Sequence, residues 1–183
     1  VSRAAYDARY EESYWDYWRE QYPGFYIVPE GGNNALGVQG TREILANIDK
    51  VYDVVACSLG TGTTFNGILD VIGGATKGIG FAPFKKGIYL KDHIHTSHTD
   101  WEVTDAYHFG GFGKHNEVLI AFMNDFYVQT GILLDKVYTA KMMYGITDMI
   151  QLGKIKQTKH ILAIHTGGLQ GNHTIKEQLV CLK

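Results

Sequence analysis

The stretch Val51-Tyr52-Asp53-Val54-Val55-Ala56-Cys57-Ser58-Leu59-Gly60-Thr61-Gly62-Thr63-Thr64-Phe65-Asn66-Gly67-Ile68-Leu69 decides the fold. Its apolar run over 51–57 reads as a buried strand that passes directly into a loop of glycine and hydroxyl residues, 58–64. The spacing of Phe65, Ile68, Leu69 and Ile72 then predicts a helix. A second segment of the same kind lies near the other end, where a strand over 161–164 runs into His165-Thr166-Gly167-Gly168. Strands with near-continuous apolar runs, alternating with helices, imply an α/β fold with a mostly parallel sheet covered by helices on both faces, three layers in all.

The remaining elements follow outward from that unit. Helical spacing recurs over 118–128, through Leu119, Phe122, Met123 and Phe126, and over 138–152, through Met142, Ile146, Met149 and Ile150. Residues 101–107 alternate like a strand, and 110–113 form a glycine turn. Between 73 and 100 the glycines at 73, 74, 78 and 80 break any period. Towards the amino end, 35–48 predicts a helix after the loop 30–34, and Phe25-Tyr26-Ile27-Val28 a short strand stopped by Pro29. Residues 5–22 predict an amphipathic helix whose stripe of Tyr14, Trp18 and Tyr22 packs on the body. No internal repeat, low-complexity tract or linker interrupts the order.

Composition bounds the function. A chain of 183 residues that is 45% hydrophobic and 20% charged has the profile of one globular domain with room for a subdomain. A formal charge of -2 argues against a general nucleic-acid binder. No apolar run reaches the length of a membrane span, and the residues after Val1 begin no signal peptide. Two cysteines, Cys57 and Cys181, make no disulfide framework, so a reducing cytoplasm is expected.

Loops 58–64 and 165–168 both fall at strand carboxyl ends, where ligands gather in parallel sheets. At the start of a helix, backbone N–H groups and the positive end of the helix dipole favour a phosphate. Thr61, Thr63 and Thr64 add hydroxyls, and Gly60 and Gly62 let the backbone approach. A dinucleotide fingerprint would need glycine where Phe65 stands, and a P-loop would need lysine at the close of the loop. No Gly-x-Ser-x-Gly elbow occurs. A small monophosphate, as in a pyridoxal phosphate site, remains, with a plain helix cap as the open alternative.

Other candidates read as structural. His93, His95 and His98 lack the further ligands of a zinc or nickel site, so no metal is expected. His165 reads as pocket wall or backbone partner. Cys57 reads as a buried small residue, and Met142, Met143 and Met149 as core. Glu30 reads as an ion-pair partner or as the cap of the helix at Ala35, and Asn34 as a turn residue. Asn33 stays open between a turn and a donor to a substrate carboxylate.

Four motifs occur in one order: 28–37, beginning Val28-Pro29-Glu30-Gly31-Gly32-Asn33-Asn34; the loop 60–67; Val137-Tyr138-Thr139-Ala140-Lys141; and His165-Thr166-Gly167-Gly168. Together they resemble the 1-aminocyclopropane-1-carboxylate deaminase and D-cysteine desulfhydrase family, pyridoxal-phosphate enzymes with the fold of the tryptophan synthase beta subunit. The resemblance implies that Gly60, Thr61, Gly62, Thr63 and Thr64 hold the cofactor phosphate and that Tyr138 transfers a proton near the substrate. An ordinary tyrosine titrates too high for that at neutral pH, so a lowered pKa or a relay is needed. It further implies that Thr139 and Thr166 approach the cofactor's pyridine nitrogen, their hydroxyls bonding to it without fixing a charge on it, and that Gly167 also binds the cofactor. Asn33 falls on the substrate side. Two threonines lean towards the desulfhydrase branch, whose chemistry is elimination at the β carbon. Phe112 stands where many relatives carry a second active-site tyrosine.

By the same resemblance, residues 1–183 correspond to the C-terminal portion of such an enzyme, mainly its larger domain. The Schiff-base lysine lies upstream, Lys141 is not that residue, and the sequence does not open on methionine. The expectation is therefore an incomplete fold, inactive alone, from a cytoplasmic homodimeric lyase or deaminase acting on a small amino acid. A non-catalytic phosphate- or cofactor-binding module and a nucleotide-binding domain are the alternatives.

Overall fold

The structure is a computed structural model that describes residues 2–8 and 11–180. It divides into two units, residues 1–30 and 31–183. The first carries two helices, α1 (Arg3–Asp7) and α2 (Glu12–Gln21), where the sequence predicts one over 5–22. The aromatic stripe closes on itself: Trp18 stacks on Tyr22 with ring centroids 5.9 Å apart and meets Tyr14 edge-on at 6.1 Å. No residue of α2 is buried. The strand predicted at 25–28 does not form. Among the described residues no neighbouring strand pairs its backbone, and Phe25, Tyr26 and Val28 stand exposed.

The second unit opens with α3 (Ala35–Arg42), which begins at Asn34. That side chain accepts the Gly37 N–H at 2.8 Å. Glu30 is not the cap; its carboxyl accepts the Tyr6 hydroxyl at 2.7 Å. The predicted helix over 35–48 tightens after Arg42 into a 3₁₀ turn, Glu43–Leu45. There follow β1 (Val54–Ser58), α4 (Thr63–Leu69), β2 (Lys77–Phe81), β3 (Trp101–Thr104), α5 (Glu117–Thr130), α6 (Thr139–Gln151) and β4 (Ile161–Ile164). The four strands form one sheet in the order β3-β2-β1-β4, every pair parallel. The anticipated parallel sheet is therefore observed.

Alternation along β1 builds the layers. Val55 and Cys57 join Leu59, Phe65, Ile68 and Leu69 in one cluster, so α4 covers one face. Val54 and Ala56 join Met142, Ile146 and Met149 in another, so α6 covers the other. Helix α5 packs behind α6 through Leu119 and Met123. Phe65 is fully buried, a contribution of about 1.5–3 kcal/mol. β2 escaped the sequence reading because Gly78 and Gly80 hide its alternation. Those glycines are what the packing requires: a Cβ on Gly78 would overlap Leu69, and one on Gly80 would lie 2.8 Å from Leu59. Similarly, Gly67 lets α4 meet α3, where a Cβ would stand 2.6 Å from the Val38 carbonyl.

Candidate functional site

Parallel pairing of β1 with β4 aligns Cys57 with Ile164, so the segments that follow both strands leave the sheet at the same end. There they form a pocket of about 170 Å³ lined by Ser58, residues 60–65, Gly31, Tyr138 and Thr166. A pocket for a whole drug-sized ligand usually holds roughly 300–1,000 Å³, so these residues make a subsite. The two loops singled out in sequence thus face one cavity. Thr61 and Thr63 hydroxyls lie 2.9 Å apart, and Thr63 donates at 3.4 Å to the side-chain oxygen of exposed Asn33. Gly62 takes φ 91, a left-handed conformation suited to glycine, immediately before α4. Ser58 is a feature that sequence reasoning missed. Its Oγ is buried at the pocket without a hydrogen-bond partner among the described residues, a costly state for a hydroxyl.

Tyr138 reaches the pocket because Asp135 shapes the chain before it. Fully buried Asp135 accepts the N–H groups of Val137, Tyr138 and Thr139, each at 2.8 Å, and the Thr139 hydroxyl at 2.7 Å. The Asp135 N–H returns a bond to Thr139 Oγ1 at 2.9 Å, closing a reciprocal cap on α6. Thr139 is therefore spent on its own helix: it is fully buried and does not line the pocket. The reason is the acid four residues before it, whose oxygens claim the hydroxyl that the family resemblance assigns to a ring nitrogen. Gly167 is also not among the lining residues; it takes φ 88 beside Thr166. Buried Asn172 ties this segment down, accepting the Lys136 N–H at 2.9 Å and donating to the Leu134 carbonyl at 2.8 Å. Lys136 also donates to the Thr174 hydroxyl. An aspartate placed before an apolar helical run was the available signal for this cap.

Lys141 is 1% exposed, and its ammonium donates to the carbonyls of Pro83 and His108 at 2.9 Å and of Gly111 at 2.8 Å. Burial draws its pKa down to about 8; the charge of Asp135 opposes that fall and Lys136 adds to it. Only the protonated amine has three N–H donors for three carbonyls, so the geometry holds the charged form. Phe112, 60% exposed, meets Tyr138 edge-on with centroids 5.9 Å apart.

The rings of His165 and His98 meet backbone groups. His165 accepts the Gly167 N–H at Nδ1, 3.1 Å, and its Nε2 lies 2.9 Å from the Leu133 carbonyl. His98 Nε2 lies 2.9 Å from the Thr76 carbonyl, and the His95 N–H donates to Asn66 at 2.7 Å. No group of three His, Cys, Asp or Glu able to hold a metal occurs among the described residues. Cys57 is fully buried, and burial pushes its thiol up to about 12. Cys181 lies outside the described residues. A second cavity, about 290 Å³, opens at the amino ends of β1 and β2 beside Lys77, Lys154, Lys156 and Lys159. That is the end of a parallel sheet away from which ligands usually bind. No helix among the described residues is long and apolar enough to cross a membrane.

Known proteins resemble this chain over most of its length. A D-cysteine desulfhydrase of Yersinia enterocolitica is 32% identical over 165 residues, covering 78% of this chain and 50% of its own. The chain is similar to D-cysteine desulfhydrases and 1-aminocyclopropane-1-carboxylate deaminases. The mitochondrial bifunctional D-cysteine desulfhydrase/1-aminocyclopropane-1-carboxylate deaminase of Arabidopsis thaliana is 29% identical over 181 residues, 86% of this chain and 45% of that protein. The chain spans about half the length of the curated relatives it matches. Among solved structures, an ACC deaminase homologue shares its fold, with a TM-score of 0.76 at 22% identity over 100% of this chain and 61% of that one. No family model matches.

Proposed function

We propose that these residues form the phosphate-binding side of a pyridoxal-phosphate-dependent lyase or deaminase acting on a small amino acid, with D-cysteine favoured over the cyclopropane substrate by the Thr166 hydroxyl alone, since Thr139 is withdrawn into its helix cap. The observation that carries the reading is the convergence of residues 60–64, Tyr138 and Thr166 on one cavity at the carboxyl ends of β1 and β4. The residues present fit a phosphate: the buried Ser58 hydroxyl has no partner among the described residues, four threonines border the cavity, and Gly62 leaves the backbone open. When bound, pyridoxal phosphate supplies an electron sink for negative charge at the substrate's α carbon.

The chain's own residues do the rest. Residues 60–64 and Ser58 bind and orient the phosphate through N–H and hydroxyl donors. Thr166 would offer its hydroxyl to the ring nitrogen, with Gly167 beside it, while Thr139 acts by fixing the cap that carries Tyr138. Tyr138 holds or moves a proton at its hydroxyl oxygen, and Asn33 lies towards the substrate carboxylate. Phe112 meets the Tyr138 ring at that edge and brings no hydroxyl there. By the family resemblance the lysine that bonds the cofactor is not Lys141, whose ammonium is engaged by three carbonyls, and among the described residues no lysine lines the cavity. The chain alone is then inactive, part of a cytoplasmic homodimer in its working form.

The test is release of pyruvate from D-cysteine and of 2-oxobutanoate from 1-aminocyclopropane-1-carboxylate, with pyridoxal phosphate present. Neither product is expected from the 183 residues alone. Pyruvate is expected once a lysine-bearing segment of a relative is joined to them. Release of 2-oxobutanoate only would move the substrate to the other branch, and no product from the joined protein would leave a non-catalytic binding module.

A further inference from the structure

The surroundings of Lys141 oppose its charge twice over. It is the third residue of α6, where the helix dipole disfavours a cation, and it is 1% exposed. Asp135, the carboxyl whose charge it feels, spends its own hydrogen bonds on the α6 cap. What faces the ammonium is a set of neutral oxygens: the Pro83 carbonyl just beyond β2 and the His108 and Gly111 carbonyls of one turn. That turn bends to present them. Phe109, Gly110 and Gly111 take φ of 50°, 95° and 130°, a left-handed course that Phe109 adopts against its preference. Backbone carbonyls converging on one point, with no carboxylate bonded there, are how proteins replace the hydration shell of potassium.

We propose that the Lys141 ammonium is a tethered monovalent cation, filling a site that the Pro83, His108 and Gly111 carbonyls would offer to potassium or ammonium if the side chain were removed. By filling it, Lys141 locks the turn that leads to Phe112 against the helix that starts beyond Tyr138. It is a positioning residue for the edge where those two rings meet. That consequence rests on the proposed function, whereas the cation site itself is read without cofactor, so the two can fail separately.

The experiment compares the wild-type chain with Lys141→Ala and Lys141→Met, melted without cofactor in chloride salts of tetramethylammonium, potassium and ammonium at equal ionic strength. In tetramethylammonium, which is too large for the cage, both variants are expected to melt at least about 5 °C below wild type. Potassium or ammonium is expected to restore most of the loss in Lys141→Ala, none in Lys141→Met, and to leave wild type unmoved. Equal melting of Lys141→Ala in all three salts, or a Lys141→Met that melts like wild type, overturns the proposal. If Lys141→Ala does not fold in tetramethylammonium, refolding yield is compared across the salts. Yield recovered by potassium or ammonium supports the proposal, and no yield in any salt overturns it.

Discussion

Tyr138→Phe is expected to lower turnover about 10²–10⁴-fold in a cofactor-loaded protein carrying these residues, with cofactor affinity little changed. The substitution removes one oxygen and keeps the ring that meets Phe112 at 5.9 Å. The Tyr138 N–H still bonds to Asp135, so the main chain holds its course. Turnover and cofactor affinity are measured separately, the second by absorbance titration. Unchanged turnover would remove Tyr138 from proton transfer, and parallel loss of both would make it a binding residue.

Asp135→Ala is expected to cost about 3 kcal/mol or more, lowering the melting temperature by roughly 6–12 °C. The carboxyl closes the first turn of α6, and alanine leaves three N–H groups and the Thr139 hydroxyl without their acceptor in a buried place. Asp135→Asn, which keeps an oxygen of the same shape, is expected to lose less. Urea titration of the three proteins checks the order, and an alanine variant as stable as wild type would show that the cap does not govern this segment.

The parallel sheet was legible because β1 and β4 are apolar runs that end in glycine loops, which is how strands covered on both faces read. The meeting of residues 60–64 with Thr166 followed from that topology. β2 was not legible, since Gly78 and Gly80 serve helix packing and erase the alternation that marks a strand. The stretch 25–28 misled for the converse reason: an apolar run supplies propensity, but a strand needs a partner. Thr139 shows the limit of reading a motif by position, because its hydroxyl answers to Asp135, four residues away. The carbonyl cage of Lys141 joins residues 30 to 58 apart in sequence, a convergence that no local pattern announces.

On the proposed function, the cavity beyond β1 recognises the phosphate of pyridoxal phosphate. The direct measurement is amide NMR of the isotopically labelled chain titrated with pyridoxal phosphate, with pyridoxal lacking the phosphate, and with inorganic phosphate. Pyridoxal phosphate and phosphate are expected to shift the amides of residues 60–64 in common, with pyridoxal leaving them unmoved and Thr61→Val weakening both responses about tenfold or more. Equal responses to pyridoxal and pyridoxal phosphate, or shifts confined to the opposite end of the sheet, would contradict the account.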